Sequence, residues 1–261
     1  MGSAPADDEL IAELRSAGCV FAEEEAAELR RWAAHDFQLE SWVRRRVAGE
    51  PLEHIVGHVD FCGLTLRVGR GVFVPRQRSA LLARAALDSL TERAPDAVLV
   101  EACCGVAPIA AVVADRFPRV RSVVTDVDGP AAELAAHNVP SARVVVGNGL
   151  AALPRELRRG VDVIAAVPPY VPDSAVGLLP VEASEYEPRR ALLGGPDGLA
   201  VVRQLLAKAP AWLGQRGVIL LEMHRDQLPA ASESALRAGL RPGSVSGEDG
   251  HTVVLVARVG G

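Results

Sequence analysis

From Asp7 to about Gly49, apolar residues fall three and four positions apart (Leu10, Ile11, Leu14, then Ala26, Leu29, Trp32, Ala33) and no stretch alternates. That spacing predicts two or three short helices. Between Ile55 and Val74, β-branched and aromatic residues are punctuated by Gly57, Gly63, Gly69 and Gly71, the pattern of a hairpin leading to Pro75. From Val98 onward, short β-branched runs (Val98–Val100, Val123–Thr125, Val144–Val146, Val161–Ala166, Val218–Glu222) alternate with helical stretches near Ala110–Arg116, Ala131–His137, Leu199–Leu213 and Gln227–Ala238. Thr252–Arg258 is a last strand. This alternation predicts an α/β chain with a mostly parallel sheet covered on both faces. The organisation expected is a helical N-terminal domain over 1–50, a β-hairpin linker over 51–74 and an α/β domain over 75–261. No internal repeat or low-complexity segment is visible. In such sheets ligands sit beyond the carboxyl ends of the strands, where the strand order reverses, so the residues directly after each run are the ones to examine.

Composition narrows the chemistry. The 261 residues are 49% apolar and only 4% aromatic, which suits a helix-rich globular protein with a sizeable core. A net charge of −5 gives no field for a phosphate backbone, so a nucleic-acid partner is not expected. No long apolar run predicts a membrane span. The small, acidic start from Met1 to Asp8 does not read as a signal peptide, and the expected location is the cytoplasm. Cys19, Cys62 and the adjacent pair Cys103 and Cys104 fit neither a disulfide framework nor zinc-ligand spacing, and are read as small buried residues with no metal site.

After the first strand, Glu101-Ala-Cys-Cys-Gly-Val-Ala107 is a turn of small residues opening a helix, which lets a ligand lie against backbone at a helix N-terminus. A dinucleotide site would use glycines at Cys103 and at Val106 or Ala107, so a dehydrogenase is disfavoured. Asp126 follows the second strand directly, 21 positions after Gly105, where a carboxylate can accept both hydroxyls of an adenosine ribose. As a helix N-cap, Asp128 fits better than Asp126, because Gly129 and Pro130 begin a helix there. The fourth long run ends in Val167-Pro-Pro-Tyr170, two prolines that fix the backbone and leave carbonyls as a rigid acceptor edge for a planar N–H group. The stretch Val181 to Gly198 is glycine-rich, charged and long enough to be a functional loop.

With these residues in view, the chain resembles the HemK-like protein-(glutamine-N5) methyltransferases, and within them an actinobacterial branch. The likeness runs through Gly18-Cys-Val-Phe-Ala-Glu23, Arg45-Arg-Val-Ala-Gly-Glu-Pro-Leu-Glu-His54, Phe61-Cys-Gly63, Gly71-Val-Phe-Val-Pro-Arg76, Glu187-Pro-Arg-Arg-Ala-Leu192 and Asp197-Gly-Leu199. It implies a helical N-terminal domain, a hairpin linker and a seven-stranded, Rossmann-like class I methyltransferase domain that binds S-adenosylmethionine. It further implies that the Glu101–Ala107 turn, with Glu101, Cys103 and Gly105, wraps the cofactor, that Asp126 holds its ribose, and that the Asn-Pro-Pro-Tyr motif binds the accepting amide. This chain departs from the family pattern in three places. Val167 stands for the motif's Asn, which removes a side-chain amide that would pair with glutamine, a loss of about 1–3 kcal/mol per orphaned polar group. Asn148 stands where an acid near the adenine amine is usual, yet its carbonyl can still accept from that amine. The turn has Glu101 for Asp and Ala107 for Gly.

Three readings of function follow. The first is N-methylation of a planar nitrogen in a small molecule, a guanidine or amide such as free arginine. Glu182, Glu185 and Glu187 would bind the guanidinium and draw its charge to the far nitrogens, unless they face solvent or pair with Arg189 and Arg190. In this scheme the Pro168 carbonyl accepts a substrate N–H, Tyr170 walls the pocket and a loop carboxylate takes the proton. The second keeps N5-methylation of a glutamine in a release factor's Gly-Gly-Gln loop, with the proline carbonyl alone gripping the amide. The third is a non-catalytic scaffold. The helical cap could dimerise, hold substrate or simply pack, and its apolar stripe fits each equally.

Overall fold

The computed structural model of the protein describes residues 7–93 and 95–260. Residues 1–6 of the acidic start lie outside them. Helices α1 (Asp7–Ser16), α2 (Ala22–Trp32) and α3 (Asp36–Val47) come first, followed by the short α4 (Leu52–Val56). In α2, Glu23, Glu24 and Glu25 occupy the first turn and Arg30 and Arg31 the last, which complements the helix dipole. The apolar stripes of these helices close on one another, burying Leu10, Leu14, Leu29, Leu39, Val43 and Ile55 together.

The hairpin consists of β1 (His58–Phe61) and β2 (Leu64–Arg67), with Phe61 opposite Leu64. Its two-residue turn, Cys62-Gly63, takes φ of 51° and 83°, the left-handed pair that matches the twist of the flanking strands. Cys62 is therefore exposed and Cys103 is half-buried, which corrects the expectation that all four cysteines are buried; Cys19 and Cys104 are. The paired segment is shorter than the Ile55–Val74 pattern because Ile55 belongs to α4 and residues 68–74 are irregular.

The second sheet, among the described residues, has seven strands in the order β5-β4-β3-β6-β7-β9-β8. These are β3 (Val98–Ala102), β4 (Arg121–Asp126), β5 (Arg143–Val146), β6 (Val161–Ala166), β7 (Leu213–His224), β8 (Leu240–Ser246) and β9 (Thr252–Val259). All neighbours are parallel except β9, which runs antiparallel to β7 and β8. Along β6, Val163 and Ala165 face one core while Ile164 and Ala166 face the other. That double burial is why these strands read as unbroken apolar runs. One core lies under α5 (Ala80–Thr91), α6 (Pro108–Arg116) and α7 (Gly129–Asn138), with Leu82, Ile109 and Ala135 fully buried. The other lies under α10 (Ala200–Lys208) and α11 (Leu228–Arg237). The order reverses between β3 and β6, which sets the ligand crevice at their carboxyl ends.

Four differences from the pattern have physical causes. The strand β8 was not expected, because Pro242, Gly243 and an exposed face disguise it; a proline is tolerated there since β8 is an edge strand. Helix α5 is buried through Leu81, Leu82, Ala83, Ala85 and Ala86, and consecutive apolar residues blur its period. The helix expected over Leu199–Leu213 ends at Lys208, Pro210 falls in a 3₁₀ turn, and β7 begins at Leu213. The loop from Val181 contains two short helices, α8 (Val181–Tyr186) and α9 (Arg189–Leu192).

Candidate active site

The turn after β3 is held in an uncommon conformation. Cys103, Gly105 and Ala107 all have positive φ (53°, 53° and 61°), and left-handed backbone at a non-glycine residue costs about 1–2 kcal/mol. Strain of this kind persists where surrounding bonds over-determine it. Here the Cys104 amide donates to the Thr125 carbonyl (3.1 Å) and the Gly105 amide to Asp126 Oδ2 (2.8 Å), both at the end of β4. Glu101 lines the crevice, yet its carboxylate is spent on the fold: Oε1 and Oε2 accept the amides of Ile109 (3.2 Å) and Ala110 (2.6 Å) and so fasten the start of α6 to β3. Burial pushes its pKa up to about 8 in spite of those two donors.

Asp126 also accepts the Asp128 amide on Oδ1 (2.9 Å), so each of its oxygens takes one backbone N–H and keeps a further lone pair for a ligand hydroxyl. Burial raises its pKa. Asp128 occupies the N-cap position of α7 without a side-chain cap bond; its carboxylate pairs with Arg190 instead, at 2.8 Å. Asn148 is exposed at the end of β5 and faces the same crevice.

The crevice is a cleft of about 950 Å³, counting its open part, and Gly105, Asp126, Asn148, Val167 and Phe73 are among its walls. A Cβ added at Gly105 would meet nothing within 4 Å, so the turn presents bare backbone to the cleft. Size, exposed turn and ribose-competent acid together fit an adenosine-bearing ligand. A second chamber of about 660 Å³ adjoins it and shares the walls Phe73, Val167 and Ala191. Its other walls include Pro168, Tyr170, Arg76, Arg78 and Glu182.

The Val167-Pro-Pro-Tyr170 segment is locked from behind by Gln227, which the sequence reading did not single out, and by two glycines of the loop it flagged. Gln227 Nε2 donates to the carbonyls of Tyr170 (2.8 Å) and Asp197 (3.1 Å). A Cβ at Gly194 would lie 2.4 Å from the Pro169 carbonyl oxygen, and one at Gly198 2.2 Å from that of Tyr170. The signal available in the sequence was Gly194-Gly-Pro-Asp-Gly198 itself, since glycine clusters mark close backbone approach.

The loop carboxylates do not gather around the second chamber. Glu187 is buried, accepts the Val74 amide (3.1 Å) and pairs with Arg76 (2.5 Å). Glu182 pairs with Arg46 of α3 (2.5 Å), which is also bound by Glu25 of α2. Glu185 is exposed and lines neither chamber. Neither Glu182 nor Glu187 pairs with Arg189 or Arg190, the first residues of α9; Arg190 pairs with Asp128 instead.

Among the described residues, no helix is long and apolar enough to cross a membrane, and no group of metal-ligating side chains is assembled. No model of a known protein family matches the chain. Individual proteins do. A release factor glutamine methyltransferase of Mycolicibacterium smegmatis is 37% identical over 200 residues, covering 75% of this chain and 69% of that protein. A 4-amino-L-phenylalanine/4-methylamino-L-phenylalanine methyltransferase of Streptomyces pristinaespiralis is 34% identical over 248 residues, covering 86% and 84%. The fold matches a methyltransferase from Pyrococcus furiosus with a TM-score of 0.54 at 18% identity, over 76% of this chain and 90% of that one. With turn, acid and proline motif set around one cleft and these relatives beside them, the chain belongs to the HemK-like protein-(glutamine-N5) methyltransferase family, and it is an S-adenosylmethionine-dependent N-methyltransferase.

Proposed function

We propose that the protein methylates the side-chain amide nitrogen of a glutamine in a partner protein. The observation that carries this reading is the charge of the second chamber. Arg76 and Arg78 line it, and Glu182, the carboxylate among its described walls, is already paired with Arg46. Arg76 is balanced by Glu187, so a guanidinium entering there would meet the weakly paired Arg78 charge and no free acid among these walls, whereas a neutral amide pays no such cost. The free-arginine reading, motivated by Glu182, Glu185 and Glu187, loses its support for that reason. Relatives named for release factor glutamine methylation support the protein acceptor.

Bound in the cleft, S-adenosylmethionine supplies an already activated methyl group, so positioning is what the chain must add. Asp126 accepts the ribose hydroxyls, Asn148 accepts from the adenine amine, and the strained turn at Cys103 and Gly105 lies along the ligand. The Pro168 carbonyl, to which no hydrogen bond is made among the described residues, accepts one amide N–H of the glutamine and turns its nitrogen toward the shared wall at Val167. Phe73 and Tyr170 exclude water on either side.

The test is methyl transfer to a purified release factor carrying its Gly-Gly-Gln loop, read by mass spectrometry beside free arginine. A gain of one methyl group on the protein alone supports the reading; a gain on arginine alone refutes it. One observation favours a second acceptor. Val167 offers an apolar wall where an amide would seek a partner, which suits an aromatic amine, and the relative from Streptomyces pristinaespiralis is named for such a substrate. Transfer to 4-aminophenylalanine in place of the protein would establish that alternative.

A further inference from the structure

We propose that Glu222 is the proton-accepting end of a relay through Tyr170, and that this relay discharges the acceptor nitrogen after methyl transfer; the assignment rests on a nitrogen acceptor bound in the second chamber. Glu222 lies near the carboxyl end of β7, beside Leu221, which pairs with Ala166 at the end of β6. It has no exposure to solvent, and neither carboxylate oxygen has a partner of hydrogen-bond geometry. The nearest cation, Arg78, places Nε 3.9 Å from Oε1. A buried carboxylate left this poorly paired is costly, so its presence calls for a use.

Tyr170 supplies the connection. Its hydroxyl oxygen accepts from Arg78 Nε (3.2 Å) and Nη2 (2.9 Å), so its own proton is directed away from Arg78. The hydroxyls of Ser79 and Tyr170 face Glu222 without reaching hydrogen-bond geometry, while Arg78 attracts and Asp249 repels its negative charge. Burial outweighs the favourable partners and raises the Glu222 pKa, which makes its carboxylate a stronger proton acceptor than an exposed one. Tyr170 is itself raised, by burial and then by Glu222, against Arg78 and Arg76. It therefore stays protonated, and it can take a proton only by giving one up. Tyr170 lines the acceptor chamber, whereas Glu187, Glu182 and Glu185 are engaged or turned away as described.

The nitrogen lone pair forms the N–C bond while the sulfur–carbon bond breaks and its electron pair stays on sulfur. As one of its two Arg78 bonds gives way, the Tyr170 oxygen takes the nitrogen's surplus proton and the Tyr170 hydroxyl proton moves to Glu222; once product has left, the reverse transfer through Tyr170 returns it to water in the emptied chamber. Glu222 thus acts as a positioning and proton-storing residue without touching substrate.

Difference infrared spectroscopy of the full chain, titrated between about pH 5 and about pH 9, reads the carboxyl directly. The expected result is a buried carboxylic-acid band that titrates, disappears in Glu222→Gln and shifts in Tyr170→Phe, which keeps the buried acid and loses only the hydroxyl. In single turnover, with whichever of the release factor or 4-aminophenylalanine the wild type methylates, Tyr170→Phe lowers the rate about a hundredfold and removes its fall at low pH. Cofactor affinity is unchanged, and Glu222→Asp restores part of the loss in Glu222→Gln. A band that does not move in Tyr170→Phe, or a pH profile left intact, overturns the relay. Failure of the release factor as acceptor with a shifted band would refute the substrate reading alone.

Discussion

Gly105 and Asp126 are joined across β3 and β4 by a 2.8 Å bond from the Gly105 amide to Oδ2, so the acid that faces the cleft also fixes the turn that lines it. Replacing Asp126 by Ala removes both roles. Two lost hydroxyl bonds at about 1–1.5 kcal/mol each predict cofactor binding weaker by about thirty- to a hundred-and-fiftyfold in a calorimetric titration. The melting temperature falls as well, because the strained turn loses its anchor.

Glu101 makes stability depend on pH in a definite direction. Its pKa rises from about 4.5 unfolded to about 8 folded, so the folded state holds a proton the unfolded state has lost over that range. The resulting stabilisation is complete below the unfolded value and disappears as pH rises through about 8. Denaturant melts of Glu101→Gln, compared with wild type across this window, lack that portion of the slope.

Burial also makes Glu187 a test of the loop. It holds the Val74 amide and Arg76, and removing one partner of a buried pair costs about 3–5 kcal/mol. Glu187→Ala is expected to lose stability of that order by denaturant melt. If it folds with stability unchanged, Glu187 is not the strut these contacts describe.

Gly198 is closed to any side chain, since its Cβ would meet the Tyr170 carbonyl oxygen at 2.2 Å. Gly198→Ala displaces the Val167–Tyr170 segment, and the expected outcome is a large drop in methyl transfer with cofactor affinity retained. Calorimetry and turnover on one preparation separate the two effects.

Much of the architecture was legible because parallel strands buried on both faces, such as Val161–Ala166, announce themselves as apolar runs. The place of Asp126 on the cleft was legible for a related reason: the carboxyl end of β4, where it lies, is fixed by topology. The loop acids were not. Glu187 is joined to Arg76 across 111 positions, and Glu182 to Arg46 of the helical segment, so nothing near them in sequence shows that they brace the fold. Glu222 was hidden too, as the one acid in an apolar strand reads like a strand end until its burial is seen.

Val167 lies on the wall shared by the two chambers, and its substitution tests how the acceptor is gripped. If the Pro168 carbonyl holds a glutamine unaided, Val167→Asn adds one neutral hydrogen bond worth about 1 kcal/mol and raises kcat/KM for the release factor roughly five- to tenfold. An unchanged value would mean that Val167 only shapes the chamber.

The most direct measurement is tandem mass spectrometry of a Gly-Gly-Gln release factor after incubation with the protein and carbon-13-methyl S-adenosylmethionine, with Asp126→Ala as control. A labelled methyl on the glutamine side-chain nitrogen, lost in the control, is the predicted result. Tight cofactor binding with no label on that glutamine would contradict the proposed acceptor, and no cofactor binding at all would contradict the assignment of the cleft.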